Sequence, residues 1–453
     1  MHQVKEINGD DLSLILKNKS SKEKKFKPNS IIKASNMAKN TLNPIRRMVD
    51  QLKLEPNKNK IMIPLSIGDP TIYGNLKCDD FVTEAVVESV RSGKYNGYAP
   101  ATGYVEARSA VAKYSMCSNY NLSSEDVIIT SGCSSALEHC ILVLANPGQN
   151  ILIPRPGFPI YHTLCHATGI ETKYYNLLPE KEWQVDIEHL ENQIDNDTVA
   201  ILINNPSNPC GSVYSRDHLI EILKVAECYS LPIIADEIYS FFTFNGLDFE
   251  FMASLNDKVP VLSCNGLTKR FLCPGWRLGW IVIYDKYKRF TEVLNQLFSI
   301  EKSKISLTKV RQGLSDLATR TIGANTIVQG ALPQILFGVS EDHFESTIRI
   351  IKENFDIVES VFSKTPGLNL VKPKGAMYAM VEVRLENFKA FKANEDFIIN
   401  MVKEESVFCL PSEPFGISNY FRILLTLPPE VMIEACERIK SYCCRHLSDV
   451  NGK

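Results

Sequence analysis

The chain has 453 residues, 44% hydrophobic and 23% charged, with a formal net charge of -2. This length holds two domains, or one large α/β domain with a smaller partner, and the composition is that of a soluble globular enzyme rather than a disordered chain. So neutral a balance supplies no overall field for nucleic acid or anionic lipid, and the thirteen cysteines, scattered and without a C-x-x-C pair, fit free thiols in a reducing compartment.

Residues 1–32 are polar and lysine-rich, with KNKSSKEKKFK at 17–27, and read as a disordered tail. The apolar patch at 12–16 is too short for a signal-peptide core, and Glu6, Asp10 and Asp11, with no arginine before Arg46, argue against a mitochondrial presequence. No apolar run reaches the roughly 18 to 20 residues of a membrane span. A cytoplasmic protein is expected.

From residue 61 onward, short β-branched runs alternate with amphipathic helical patterns. VIIT at 127–130 precedes a helical pattern over 134–144. ILI at 151–153, VAILI at 199–203, LPIIA at 231–235, VPVL at 259–262 and WIVI at 280–283 follow. This alternation predicts a mostly parallel sheet covered by helices on both faces. Ligands of such sheets bind beyond the carboxyl ends of the strands, so the residues after each run carry the chemistry.

After VIIT, SGCSSAL leads straight into a helix. Main-chain N–H groups there, beside the hydroxyls of Ser131, Ser134 and Ser135, make either a phosphate cradle or a simple helix cap. His162 and His166, an i,i+4 pair beside Cys165, have metal-like spacing but lack the glutamate of a metalloprotease motif. After VAILI, NNPSNPCG at 204–211 contains two Asn-Pro units, which force a rigid, irregular turn able to fix an asparagine amide.

After LPIIA, Asp236 stands immediately past the strand with Tyr239 one helical turn on. A carboxylate there either caps a helix or holds a proton on a heterocycle. After VPVL come Lys269 and, eight residues later, Arg277 in PGWRLG. Pro274 and Gly275 break any helix between them, so the chain can fold back and aim both cations at one cleft. An amine, a carboxylate, hydrogen-bond donors and an anion cradle are together what pyridoxal phosphate requires.

The segments SIGDP (66–70), SGKYNGYAPATGY (92–104), NILIPRPGFPIY (150–161), NNPSNPCGSVYS (204–215), ADEIY (235–239), LTKRFLCPGWRLGW (267–280), NTIVQGAL (325–332), PKGAMY (373–378) and YFRI (420–423) resemble those of fold-type I aminotransferases, which are PLP-dependent. The resemblance spans residues 32–446. It implies a large PLP-binding domain at 76–340, whose mostly parallel sheet is sandwiched by helices. It also implies a smaller α+β domain at 341–453, with residues 33–75 packing against that smaller domain.

Carried over by position, the resemblance implies that Lys269 takes the cofactor aldehyde and shuttles the substrate α-proton. Asp236 would pair with the pyridinium nitrogen, and Asn208 and Tyr239 with the phenolic oxygen. Arg277, Ser134 and the main chain of Cys133 fall on phosphate-binding positions, and Phe158 on the ring-stacking position. Arg422, with Gly68 and Asn208 beside it, matches the grip on the substrate carboxylate. Tyr98 falls on a tyrosine that reaches the phosphate of the neighbouring subunit, which implies a homodimer with shared sites. The chain departs from the family at Thr268, where alanine is usual, at Asn265, where glycine is usual, and in a longer segment at 292–309.

The reaction implied is ping-pong transamination with tyrosine as donor, phenylalanine and tryptophan alongside it, and 2-oxoglutarate as acceptor. A broader alanine and aromatic specificity, or β-elimination by a carbon–sulfur lyase, would use the same lysine and aspartate, and both stay open on sequence grounds. No metal, nucleic acid or membrane is expected as a partner.

Overall fold

The computed structural model describes residues 32–52, 54–290 and 310–448, so the tail at 1–31 and the long segment at 292–309 lie outside the described residues. Strand β1 (Ile63–Pro64) stands apart from a large sheet of eight. These are β2 (Val127–Thr130), β3 (Asn150–Arg155), β4 (Glu171–Leu178), β5 (Gln184–Val185), β6 (Thr198–Asn204), β7 (Ile233–Asp236), β8 (Val261–Gly266) and β9 (Gly279–Tyr284). Their order is β2-β9-β8-β7-β6-β3-β4-β5. Neighbours from β4 through β8 run parallel, as the apolar runs predict. The WIVI run differs: β9 inserts antiparallel between β2 and β8, while β5 closes the far edge antiparallel.

Strands β7, β8 and β9 are buried at every position, which is why they read as continuous apolar runs rather than alternating ones. Alternate side chains nevertheless go to opposite faces. Ile234, Leu262 and Ile281 join the core under the helix Cys133–Leu144, and Ile233, Val261 and Val282 join the core of the helices Val105–Tyr114 and Thr326–Gly338. Each such aliphatic side chain contributes roughly 1.5 to 3 kcal/mol of burial.

Two strand ends differ from the sequence reading, for one reason. Strand β8 runs four residues past Leu262 because its polar residues are paired inside the core: Ser263 Oγ donates to Glu237, and Asn265 Nδ2 donates to Ser240 Oγ at 2.8 Å. Asp236 is the last residue of β7, in register with Asn204 of β6 and Cys264 of β8, rather than the first residue beyond it. A satisfied polar group can continue a buried strand.

The smaller sheet contains β10 (Leu368–Val371), β11 (Tyr378–Val383), β13 (Leu410–Pro411) and β14 (Tyr420–Leu424), in the antiparallel order β10-β11-β14-β13. The helices Glu341–Phe362 and Pro429–His446 share its core through Ile351, Phe355, Met432 and Ile439, and the second of them carries Cys443 and Cys444. Strand β12 (Val407–Phe408) pairs in parallel with β1. The N–H groups of Ile63 and Leu65 donate to the carbonyls of Ser406 and Phe408, each at 2.8 Å, and Leu424 N–H donates to Leu65 O at 3.0 Å. Ser66 and Gly68 are thereby held next to the strand that carries Arg422. Among the described residues, no helix is long and apolar enough to cross a membrane.

Candidate active site

The ends of β6, β7 and β8 and the turn after β2 open on a cavity of about 590 Å³. Its wall brings together Gly68, Cys133, Ser134, Phe158, Asn208, Asp236, Tyr239, Lys269, Arg277 and Arg422, all singled out in the sequence. Tyr98 is the exception. It lies outside this wall and is 88% exposed.

One end of the cavity is built for an anion. Gly132, at φ 86°, leads into the helix Cys133–Leu144, and a Cβ there would stand 2.4 Å from Arg277 Nη2. Arg277 follows the tight turn Pro274–Trp276 and itself takes a left-handed φ of 54°. Its guanidinium donates to Pro274 O at 3.0 Å and Ser131 O at 3.3 Å. Free first-turn N–H groups, the Ser134 hydroxyl and a guanidinium converge there.

Elsewhere on the wall lies a carboxylate removed from water. Asp236 is 3% exposed; its Oδ2 accepts from Tyr161 Oη at 2.6 Å, its Oδ1 accepts from Ile238 N–H at 3.3 Å, and Cys133 Sγ sits 3.7 Å from Oδ1. Burial pushes its pKa above the usual carboxylate range, and those three donors and the Lys269 cation oppose the rise. Asn204 ties the strand ends together: its Nδ2 donates to Asp236 O at 3.0 Å, and its Oδ1 accepts from Asn208 N–H at 2.7 Å.

Lys269 extends its amine into the cavity, donating to Gly68 O at 2.7 Å, with Nζ 5.7 Å from the Tyr239 ring centroid. The Tyr239 hydroxyl donates to Tyr378 Oη at 3.1 Å. Burial first, and then the neighbouring Tyr378, hold the Tyr239 phenol well above its ordinary pKa, so it remains a donor.

Arg422 is 3% exposed and has only neutral acceptors: Nη1 donates to Asn208 Oδ1 at 2.9 Å and Nη2 to Ser66 O at 2.7 Å. Its Nε is buried without a partner. Burial lowers its pKa, an expense that a carboxylate ligand would reverse.

Several lining residues escaped the sequence reading. Tyr161 and Tyr378 sit inside quoted segments, but their partners lie 75 and 139 residues away, and nothing local reveals those bonds. Ile45, Arg46 and Val49 reach the wall from the helix Pro44–Gln51, capped by Asn43, which accepts from Arg46 N–H at 3.1 Å. The His162 and His166 rings stack at 5.3 Å, outside the cavity wall, with Nδ1 of His162 2.9 Å from Thr172 Oγ1.

The anion cradle that a Cβ at residue 132 would fill, the buried carboxylate and the lining amine fit pyridoxal phosphate, and the unpartnered Nε of Arg422 leaves a place for a carboxylate. Residues 60–439 match the family of class I and II aminotransferases. The chain is similar to the tyrosine aminotransferase of Mus musculus, with 48% identity over 421 residues, which cover 93% of this chain and 89% of the relative. It is similar to that of Dictyostelium discoideum at 43% over 418 residues, covering 92% and 97%. The crystal structure of a tyrosine aminotransferase from Leishmania infantum superposes with a TM-score of 0.85 at 34% identity, covering 92% of this chain and all of that one.

Proposed function

Because the chain belongs to the PLP-dependent class I and II aminotransferases, we propose that it moves the amino group of L-tyrosine to 2-oxoglutarate, giving 4-hydroxyphenylpyruvate and L-glutamate in two ping-pong half-reactions. The observation that carries this reading is Arg422. A guanidinium held in the core on neutral oxygens, with one N–H free, suits the α-carboxylate common to amino and oxo acids. Tyrosine as donor is supported by the relatives of that name at 43% to 48% identity.

Each remaining side chain has a task on this reading. Arg277, Ser134 and the Cys133 N–H would hold the cofactor phosphate, Phe158 would cover its ring, and Asp236 would hold the proton on its ring nitrogen. Tyr239 would turn its hydroxyl proton from Tyr378 to the phenolic oxygen. Asn208 would contribute its NH₂, since its amide oxygen is already occupied by Arg422. Bound there, the protonated ring supplies the sink for the electron pair released when the substrate α-proton leaves. Lys269 Nζ would take that proton from the α-carbon and return it on the far side of the amino nitrogen, two bonds away, which asks for a single base free to move. Its one hydrogen bond, to Gly68 O, is with a neutral acceptor and can be exchanged.

Tyr98 supports a homodimer. A phosphate-binding role for a residue outside its own cavity needs a second copy to supply the site. The first stage of tyrosine breakdown in the cytoplasm is the setting that suits the reaction and thirteen free thiols. The test is the absorbance of the purified, PLP-loaded chain. A visible band that bleaches with tyrosine and returns with 2-oxoglutarate is expected. A band indifferent to tyrosine would redirect the donor, and no band after reconstitution would remove the reading altogether. Pyruvate and ammonia released from a cysteine-type substrate without an acceptor would favour the lyase.

A further inference from the structure

We propose that Tyr161 is a positioning residue whose hydroxyl fixes the Asp236 carboxylate in the anionic form and orientation that pairing with a ring nitrogen needs. The proposal rests on the reading of Asp236 given above. Tyr161 is fully buried on the helix Ile160–Ala167, and its hydroxyl bonds to Asp236 Oδ2 at 2.6 Å. That separation falls in the range of hydroxyls donating to an ionised oxygen, about 2.5 to 2.7 Å. Its ring meets Phe158 edge to face, at 5.9 Å and 88°. One side chain therefore braces both the carboxylate and the proposed ring-stacking phenylalanine.

The electrostatics around Asp236 leave this donor the deciding role. Six titratable groups face it: Cys133, Tyr161, Glu237, Tyr239, Cys264 and Lys269. Burial raises the Cys133, Tyr161, Tyr239 and Cys264 pKa values well above their ordinary ranges, so all four stay neutral. Glu237 directs its carboxyl to Ser263 and to Met252 N–H instead. Lys269 is the single cation among them, and its amine is bonded to Gly68 O. Against the desolvation that favours a neutral acid stand the Tyr161 hydroxyl, the longer Ile238 N–H contact and a thiol at 3.7 Å. A hydroxyl on an ionised oxygen outweighs a thiol at that range.

The experiment compares full-length wild type, Y161F, C133A and D236N, each stripped of PLP, with folding checked by circular dichroism. Infrared difference spectra at pH 7 against D236N isolate the Asp236 carboxyl, and PLP titration gives affinity. An anionic signal in wild type and C133A is expected. Y161F, which keeps the ring and removes only the hydroxyl, should show a protonated carboxyl and bind PLP about ten- to a hundredfold more weakly. An anionic Asp236 in Y161F overturns the proposal whatever its affinity. A protonated Asp236 in wild type overturns it even if Y161F fails to fold. If D236N binds PLP as tightly as wild type with an unaltered visible spectrum, the reading of Asp236 itself falls. If D236N loses affinity and Y161F does not, only the role of Tyr161 falls.

Discussion

Arg422 lies over Tyr378, its guanidinium carbon 4.2 Å from the ring centroid, and the hydroxyl of that same ring accepts from Tyr239 at 3.1 Å. The buried cation thus leans on a π face while its nitrogens reach Asn208 and Ser66. Lysine keeps the charge but loses both the planar fork and the stacking. Arg422→Lys should raise KM for tyrosine and for 2-oxoglutarate together, by roughly ten- to a hundredfold on the energy of a charge-assisted bond. Steady-state kinetics checks this, and an unchanged KM for both substrates would take Arg422 out of the site.

Replacing Lys269 with alanine removes the amine while leaving the proposed phosphate cradle at Gly132–Arg277 untouched. Transamination should fall by about 10⁴-fold, the upper range for loss of a positioned base. PLP should still bind, as followed by quenching of protein fluorescence. Retention of more than a tenth of wild-type turnover would contradict the proton-transfer role.

Gly132 is the position where a single methyl should do most harm to the cradle. Its φ of 86° strains any other residue, and the added Cβ would press on the Arg277 guanidinium at 2.4 Å. Gly132→Ala should cost about 1 to 3 kcal/mol of stability and weaken PLP binding. Thermal unfolding of the cofactor-free chain and PLP titration separate the two effects. A variant as stable and as tight as wild type would mean that the loop has room to move.

Glu237 gives the fold a pH signature of its own. Burial raises its pKa to about 7, against hydrogen bonds from Ser263 and from Met252 N–H. The folded chain therefore holds a proton that the unfolded chain has released across the interval from an ordinary glutamate pKa up to about 7. Stability contributed by this group is full below that interval and is lost as pH rises through 7, by an amount on the order of 3 kcal/mol. Urea unfolding from pH 4.5 to 8 should show the decline, and Glu237→Gln should flatten it. A wild-type curve that rises over that range would contradict the assignment.

Tyr98 should matter despite its exposure. If its hydroxyl completes a neighbour's phosphate site, Tyr98→Phe should weaken PLP binding by about tenfold, the worth of one hydrogen bond to a charged group. Sedimentation should report two chains per particle. A fully active single chain would leave this exposed ring without the proposed use.

The large sheet was legible because most of its strands are buried on both faces, so that VIIT, VAILI and LPIIA stand out without any periodicity. Polar residues that are satisfied inside a strand hid the true ends of β7 and β8, at Asp236 and Gly266. The direction of β9 was also hidden, since an apolar run carries no sign of which way it is threaded. In the cavity, residues at strand ends could be found because strand ends are where ligands gather. Tyr161 and Tyr378 could not: each sits beside an ordinary core face, and only the fold brings its hydroxyl to Asp236 or to Tyr239. Arg46 illustrates the same limit, as a short helix with no buried residues gives no hint that it borders a cavity.

The pairing of β1 with β12 has a consequence for the order in which the protein is made. Ile63 meets Val407, and Ser66 O accepts from Arg422 across 356 residues of chain. During synthesis, the segment holding Ser66 and Gly68 leaves the ribosome early and waits, without its strand partner, until nearly the whole polypeptide has followed. The large sheet can collapse in that interval. The Arg422 end of the cavity cannot, so a chain stalled between β9 and β12 would present a formed sheet with the cavity still open on one side.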